Sequence, residues 1–270
     1  MSRKRTPVNP EELKKVQEIW DQNAVWWDHK VGEGNTFQKI LIGPATERLL
    51  NLNPGELVLD VACGSGIFSR RMAHLGARVV AFDFSEKFLQ CAAERTTEHT
   101  DRIEYRLIDA TNEGQLLTLG KRQYDAAVCT MALMDMTTVD PLVSALSQLL
   151  KVGGRFVFSV LHPCFNSTGC TLMVEEEYKN GEFVLVYSVK VSKYIQPMTE
   201  KGIGIIGQPI PQYYFHRPMS VLFNTCFAAG FVLDGLEEPV FDQAAEGKRP
   251  VSWEHYTEIP PVLVARVRLL

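Results

Sequence analysis

The feature that most constrains the fold of this chain is a regular alternation of short apolar runs with helical stretches between residues 57 and 163. The runs are LVLDVA (57–62), ARVVAFDF (77–84), IEYRLIDA (103–110), YDAAVCTM (124–131) and RFVFSVLHP (155–163). Each is short, continuous and apolar, as buried strands are, and the stretches between them have the apolar spacing of helices. Strands that alternate with helices are typical of βαβ units, so the sequence predicts an α/β fold with a mostly parallel sheet.

Two more apolar runs, FVLDGLEEP (231–239) and PVLVARVRLL (261–270), extend the predicted sheet to seven strands. The first 50 residues predict helices instead, since Pro10 precedes two glutamates and then apolar residues at helical spacing. We expect this part to form an N-terminal helical extension.

Residues 164–218 depart from the alternation. They contain Asn180-Gly181 between two alternating apolar runs, which is a strong signal for a β-hairpin. We therefore expect a helical cap (1–50), a core (51–163 and 219–270) and an inserted segment (164–218). The insertion is interpreted as a lid or substrate-binding segment, with a dimer contact as the alternative.

Composition excludes several classes of protein. With 46% hydrophobic and 22% charged residues the chain is globular, and 28 Lys+Arg against 32 Asp+Glu give a net charge of −4. Such a balance provides no general attraction for a phosphate backbone, so we expect no nucleic-acid partner. Six cysteines without paired spacing indicate reduced thiols and a cytoplasmic location, and no apolar run is long enough to predict a membrane span.

The segment LDVACGSGIFS (59–69) joins the first predicted strand to a helix. Gly64 and Gly66 leave the backbone bare at the start of that helix, so a ligand can lie close to it, beside Ala62 and Cys63. A nicotinamide site would need Gly or Ala in place of Ser69, which argues against a nicotinamide oxidoreductase.

Three acids end successive strands of the predicted sheet, and the carboxyl ends of parallel strands meet at one edge. Asp60 would repel a pyrophosphate but suits a ligand that carries an ammonium group. Asp83 can accept both hydroxyls of a ribose, with Phe84 against the adenine face, while Asp109 and Ala110 can recognise the adenine edge. S-adenosylmethionine combines an ammonium, a sulfonium, a ribose and an adenine without phosphate, and is the predicted cofactor.

At these positions the chain resembles the class I S-adenosylmethionine-dependent methyltransferases, in particular the small-molecule branch with ubiquinone- and menaquinone-biosynthesis-type enzymes. The matching segments are LDVACGSGIFS, AFDFSEKFLQCA, RLIDAT, YDAAVCTMALMDM, LLKVGGRFVFSVLHP, WDQNAVWWD and FHRPMSVLFNTCFAAGFVLDGLEEP. The resemblance implies a Rossmann-like seven-stranded sheet with helices on both faces. It also implies cofactor contacts at Thr130, Met131 and Trp27. Ala62 stands where the family often has its first glycine, which matters only if the backbone there needs a positive φ.

Candidate acceptor residues lie after the fourth and fifth strands and at the end of the insertion. His162 directly follows strand five, where a histidine could remove a proton from the acceptor, although a hydrogen-bonded structural histidine is the alternative. Asp135, Tyr213, Tyr214 and His216 are the predicted substrate-binding residues. No metal is expected, because His162 and the nearby cysteines lack a fourth ligand at suitable spacing.

The sequence therefore predicts a methyltransferase that moves a methyl group by in-line displacement to a small organic acceptor. The acceptor atom is left open, because methyl transfer requires chiefly orientation and water exclusion and leaves no obligatory catalytic motif. The alternative is a catalytically silent S-adenosylmethionine-binding protein that uses the insertion for partner binding or as a homodimer contact.

Overall fold

The computed structural model describes residues 10–242 and 249–270. Its main sheet contains seven strands: β1 (Leu57–Val61), β2 (Arg78–Asp83), β3 (Ile103–Leu107), β4 (Tyr124–Thr130), β5 (Leu150–Leu161), β10 (Phe231–Glu237) and β11 (Val262–Leu269). Their order is β10-β11-β5-β4-β1-β2-β3, and β11 is antiparallel to both of its neighbours. The predicted seven-stranded, mostly parallel sheet is confirmed.

Helices cover both faces of this sheet. They are α1 (Pro10–Val31), α2 (Gly43–Leu50), α3 (Ile67–His74), α4 (Glu86–Arg95), α5 (Glu113–Leu117), α6 (Asp140–Leu149) and α7 (Met219–Ala228). Alternate strand residues pack on opposite sides, as the pleat of a strand requires. In β1, Val58 is buried with α2 and α3, whereas Leu59 is buried in the cluster that contains residues of α5, α6 and α7.

The strand order reverses beside β1, which lies between β4 and β2. In open α/β sheets such a reversal leaves a crevice at the carboxyl ends of the strands, because the connections on its two sides run to opposite faces. The turns after β1, β2 and β4 all end at this crevice, and it is where the candidate site lies.

The predicted helical extension and the predicted hairpin are both present. A π-helical turn (Phe37–Ile42) joins α1 to α2, and β6 (Cys170–Lys179) pairs with β7 (Glu182–Val191) across Asn180 and Gly181. Both turn residues have positive φ, 53° and 93°, as a tight hairpin turn requires. β8 (Met198–Gly202) pairs separately with β9 (Gln212–His216).

The insertion thus forms two small sheets of its own, outside the seven-stranded sheet. The division into cap, core and inserted segment remains a prediction. Within the described ranges, no helix has both the length and the apolar character needed to cross a membrane.

Candidate active site

A cavity of about 960 Å³ opens at the carboxyl ends of the central strands. Its floor is formed by the turns after β1, β2, β3 and β4, and its roof by α1 and the segment around β8 and β9. Its volume lies at the upper end of the 300–1,000 Å³ typical of ligand pockets, which leaves room for a cofactor and a second small molecule.

The glycine turn after β1 has the backbone shape that the sequence predicted. Gly64 has φ +54° and lines the cavity, and a Cβ built on it would approach nothing closer than Phe88 at 3.9 Å. Gly66 has φ +73°, and its added Cβ would lie 2.5 Å from the Tyr105 hydroxyl. Gly64 therefore keeps space open for a ligand, whereas Gly66 is required by the packing of the turn.

Ala62 has φ +52°, so the left-handed conformation that would favour glycine does occur at this position. An L-residue in this region carries a conformational cost of about 1–2 kcal/mol. Ala62 lines the cavity and packs against the main core, and its small side chain keeps the approach to the turn open.

Asp83 joins the second strand to the glycine turn. Its Oδ2 accepts a hydrogen bond from the Gly64 N–H at 2.9 Å and its Oδ1 accepts one from the Ser85 N–H at 3.0 Å. Burial raises the pKa of Asp83 to about 6, although both hydrogen bonds favour the carboxylate. Asp83 lines the cavity and each oxygen keeps a second lone pair, so a ribose hydroxyl can still be accepted there.

Asp60 lies behind the turn and is fully buried. Its Oδ2 accepts a hydrogen bond from the Ser69 hydroxyl at 2.5 Å, while its Oδ1 has no hydrogen-bond partner among the described residues. Burial raises the pKa of Asp60 to about 7, the Ser69 hydrogen bond opposes this, and the charge of Asp83 adds to it. Asp60 does not line the cavity, so its predicted role toward the ammonium group would act through the field of the carboxylate.

The remaining predicted cofactor residues lie at the carboxyl ends of β1, β2, β3 and β4. Asp109 accepts hydrogen bonds from the Thr111 backbone and hydroxyl through Oδ1, which orients its carboxyl group. The other members line the cavity as expected: Cys63, Phe84, Ala110, Thr130 and Met131. Met131 has a positive φ of 55°, so the chain turns sharply at the end of β4, and its N–H donates to the Ser159 hydroxyl oxygen at 3.1 Å.

Trp27 of α1 lines the roof of the cavity, as predicted. Its ring lies 5.6 Å from that of Trp20, and its Nε1–H is buried without a hydrogen-bond partner among the described residues. A Cβ added at Gly204 would lie 3.0 Å from the edge of Trp27 and from the Tyr214 hydroxyl. The roof is thus a close contact between the N-terminal helix and the insertion.

Asn23 fixes that contact, and sequence reasoning did not identify it. Its side chain donates to the Ile210 carbonyl at 2.7 Å and accepts from the Ile210 N–H at 3.2 Å. Gln208 also donates to the Ile210 carbonyl and accepts from the Gly204 N–H. Asn23 is 0% exposed, so these bonds replace water for buried polar groups. No signal in one sequence pairs residues 187 positions apart.

The acceptor side of the cavity contains Asp135, Tyr214 and His216, as predicted, together with Gln212. Gln212 donates to the Tyr214 hydroxyl at 3.0 Å and also hydrogen-bonds to Asp135. His216 is held by the Tyr194 carbonyl, 2.7 Å from its Nε2. Burial raises the pKa of Asp135 well above its usual range.

Tyr213 does not line the cavity. It alternates with Gln212 and Tyr214 along β9, and successive strand residues point to opposite faces. The Lys201 ammonium lies over its ring at 4.6 Å. The geometry therefore argues against the substrate-binding role predicted for Tyr213.

His162 lies outside the cavity and is only 1% exposed. Its Nδ1 accepts the Cys164 N–H at 3.1 Å, so the proton is on Nε2, which donates to the Glu238 carboxylate at 2.8 Å. Burial lowers the pKa of His162, although Glu238 opposes this shift. With both ring nitrogens occupied, His162 holds the chain after β5 in place, and the geometry does not support its predicted role as catalytic base.

The residues at the floor of the cavity suit S-adenosylmethionine. The bare turn at Gly64, the carboxylate of Asp83 and the aromatic Phe84 lie along one cavity, as the nucleoside part of this cofactor requires. Within the described residues, no group of His, Cys, Asp and Glu side chains is arranged to hold a metal ion.

Comparisons with known proteins agree with this geometry. A family model described as a methyltransferase domain matches residues 59–158. The ubiquinone biosynthesis O-methyltransferase of Escherichia coli O7:K1 is 33% identical over 202 residues, which cover 74% of this chain and 74% of that protein. The enzyme of the same name from Bordetella avium is 32% identical over 166 residues, covering 60% and 65%.

Several relatives of this name, including the Bordetella avium enzyme, match this chain over only 57–65% of their own length. Among solved structures, an S-adenosylmethionine-dependent methyltransferase from Mesorhizobium loti superimposes with a TM-score of 0.64 at 25% identity. That superposition covers 83% of this chain and 96% of the other.

Proposed function

The chain belongs to the class I S-adenosylmethionine-dependent methyltransferase family, and from that premise we propose that it transfers a methyl group to a small organic acceptor held in the cavity. The observation that carries the proposal is the hydrogen bond between the Gly64 N–H and the Asp83 carboxylate. A bare, left-handed turn at the start of a helix and the acid that closes the next strand are joined by one hydrogen bond at the floor of a large cavity.

S-adenosylmethionine supplies an electrophilic methyl group on a sulfonium. The chain's own contribution is to hold the two reactants in line and to keep water out. Gly64, Asp83 and Phe84 would hold the nucleoside part, and Asp60 would favour the cationic end from behind the turn. Trp27 lies in the roof, where an aromatic face would attract a sulfonium.

The enclosure of the cavity supports a small acceptor. Residues of α1 and of the insertion line it opposite the ends of the strands, which suits a small molecule held between them. The names of the relatives also favour small organic acceptors, since they refer to ubiquinone biosynthesis.

Nothing observed favours the catalytically silent alternative. A cytoplasmic location is supported by the six cysteines, all of which are free thiols. The absence of a nucleic-acid partner is supported by the net charge of −4. The homodimer remains a proposal supported only by the exposed apolar side chains of the β6–β7 hairpin, such as Tyr178 and Phe183.

The experiment compares Gly64→Ala with Gly153→Ala. Both glycines have positive φ, and in both cases the added Cβ meets no protein atom closer than 3.9 Å. Each substitution is expected to lower the free energy of unfolding by about 1 kcal/mol, since both place an L-residue in the left-handed region. Only Gly64→Ala puts a methyl group into the cavity, so only it should weaken S-adenosylmethionine binding, by at least about tenfold in calorimetry.

Equal affinity in the two variants would contradict the proposed cofactor site. Transfer itself is tested with methyl-labelled cofactor and a metabolite extract. Label in a small organic product supports the proposal, and saturable cofactor binding without any labelled product would favour the silent alternative.

A further inference from the structure

The acidic side chains that line the cavity all lie on one side of it. They are Asp83, Asp109 and Asp135, at or just after the carboxyl ends of β2, β3 and β4. Within the described ranges, no acidic residue lines the cavity from the loop after β5, from the insertion or from the segment before β11. Because β5 and β11 lie beyond β4 in the sheet, away from β2 and β3, an anionic group on a ligand is least opposed on that side.

Arg249 is a cation on this same side. It lines the cavity together with Ser252 and Trp253, in the segment that leads to β11. Most arginines of the described ranges bind a carboxylate or a carbonyl, whereas the Arg249 guanidinium has no such partner there. Arg78 is the other exception, but it begins β2 and does not line the cavity. Arg249 therefore offers its hydrogen-bond donors and its charge to a ligand.

The segment that carries Arg249 is anchored, although the Arg249 side chain is exposed. The Arg249 carbonyl accepts the Ser252 N–H at 2.9 Å. Tyr256 is only 1% exposed and donates its hydroxyl to the Met173 carbonyl at 3.1 Å. Trp253 packs against a small apolar cluster beside β11. These contacts fix the backbone from which the guanidinium extends into the cavity.

The other basic residues that line the cavity have different surroundings. They are Lys30, His216 and Arg217. The terminal N–H groups of Arg217 all donate to backbone carbonyls, and a backbone carbonyl also holds His216. Lys30 lies two residues after Asp28, which binds Arg95 of α4, the helix that follows β2. Lys30 is thus on the cofactor's side, where the carboxylate of S-adenosylmethionine needs a cation, and Arg249 is left for the acceptor.

A carboxylate matches Arg249 better than a phosphate does. The parallel N–H groups of a guanidinium fit the two oxygens of a carboxylate, and the two charges cancel. A phosphate monoester carries a charge of about −1.5 to −2 at pH 7, so a single arginine would leave part of it uncompensated.

We propose that the methyl acceptor carries a carboxylate and that Arg249 binds it, so that another atom of the acceptor faces the cofactor. The inference rests on the proposed methyltransferase function and adds the charge of the acceptor and the residue that recognises it. The carboxylate is not the methylated group, because β5 separates β11 from β4, where Thr130 and Met131 are the predicted cofactor contacts.

The test compares 2-naphthoate with its neutral isostere 2-naphthamide and with 2-naphthyl phosphate. Binding of each probe to the complex of the protein with S-adenosylhomocysteine is measured near pH 7 at low ionic strength by ligand-observed NMR titration. The unsubstituted protein is expected to bind 2-naphthoate at least about fivefold more tightly than 2-naphthamide, a factor suited to a partly exposed pair of charges. It should also bind 2-naphthoate more tightly than 2-naphthyl phosphate.

Arg249→Gln removes the charge and keeps a side chain that can form hydrogen bonds. It should reduce the preference for 2-naphthoate over 2-naphthamide to within about twofold. The matched control is Arg78→Gln, which removes the same charge from the other arginine without a partner and should leave the preference unchanged. Arg78 is exposed and lies outside the cavity.

Binding of S-adenosylhomocysteine to all three proteins is measured first. Its absence from the unsubstituted protein would refute the proposed function itself, whereas equal affinity in the three proteins is the expected result. Weaker binding in Arg249→Gln alone would assign Arg249 to the carboxylate of the cofactor and overturn the inference. The inference is also wrong if the preference for 2-naphthoate is smaller than expected, if 2-naphthyl phosphate binds as tightly, if no probe binds, or if the preference persists in Arg249→Gln.

Discussion

The buried carboxyl group of Asp60 should make the stability of this protein fall as the pH rises toward neutrality. Its pKa is about 7 in the folded protein, against an ordinary value of 3.8. Below about pH 4 the group is protonated in both states. Between that pH and about 7 the unfolded chain loses the proton while the folded protein keeps it, so ionisation favours the unfolded state.

The size of the effect follows from the same two pKa values. Each pH unit in this window costs about 1.4 kcal/mol, so the free energy of unfolding contributed by Asp60 should fall by about 2.5 kcal/mol between pH 5 and pH 8. Asp83, with a pKa raised to about 6, acts in the same direction, and its charge is one cause of the shift at Asp60.

The perturbation is Asp60→Asn, which removes the charge and keeps an oxygen that can accept from the Ser69 hydroxyl. Urea unfolding of both proteins at pH 5 and pH 8 gives four free energies. The variant should gain about 2.5 kcal/mol relative to the unsubstituted protein on going from pH 5 to pH 8.

The control is Asp125→Asn. Asp125 is partly buried, which alone would raise its pKa, but hydrogen bonds from Lys151 and the Leu57 N–H overcome this and lower it. The stability that Asp125 contributes is therefore present above its ordinary pKa and lost only in more acidic solution, so this variant should leave the change between pH 5 and pH 8 as it is. Equal changes in the Asp60→Asn variant and the unsubstituted protein would refute the reasoning.

Two further predictions concern the roof of the cavity. Asn23→Ala leaves the Ile210 N–H without its partner and removes one of the two donors to the Ile210 carbonyl. S-adenosylhomocysteine should then dissociate at least about tenfold faster in stopped-flow fluorescence, whereas Gln22→Ala on the exposed side of α1 should leave the rate unchanged. Gly204→Ala would place a methyl group 3.0 Å from the edge of Trp27, so a blue or red shift of the tryptophan emission is expected together with several-fold weaker cofactor binding. An unchanged emission spectrum would contradict the close packing of the roof.

The floor of the site could be predicted from the sequence because it depends on short-range rules. Gly64 follows a buried strand by a few residues, and Asp83 and Asp109 end the next two strands, so the parallel sheet alone brings them to one edge. The sequence shows that an alanine stands where related enzymes often have glycine, but only the structure shows that the backbone of Ala62 has a positive φ.

The acceptor side could be predicted only in part, because it depends on contacts between distant segments. Tyr213 and Tyr214 are adjacent residues with the same side chain, so the sequence cannot distinguish them. Only the pairing of β8 with β9 decides which of them points into the cavity. The Arg217 guanidinium contacts carbonyls more than 80 positions away in the sequence, for which no local pattern exists. The place of His162 directly after β5 predicts a catalytic base, but Cys164 and Glu238 occupy both of its ring nitrogens.

The hydrogen bonds between Asn23 and Ile210 also determine how reactants enter and leave. They link two roof segments, neither of which belongs to the seven-stranded sheet. Separating these segments would break these hydrogen bonds and the packing of Trp27 on Gly204, and would leave the buried apolar core of the sheet intact. We therefore expect product release and reloading to proceed by a local opening whose free-energy cost depends on these contacts and not on the stability of the sheet.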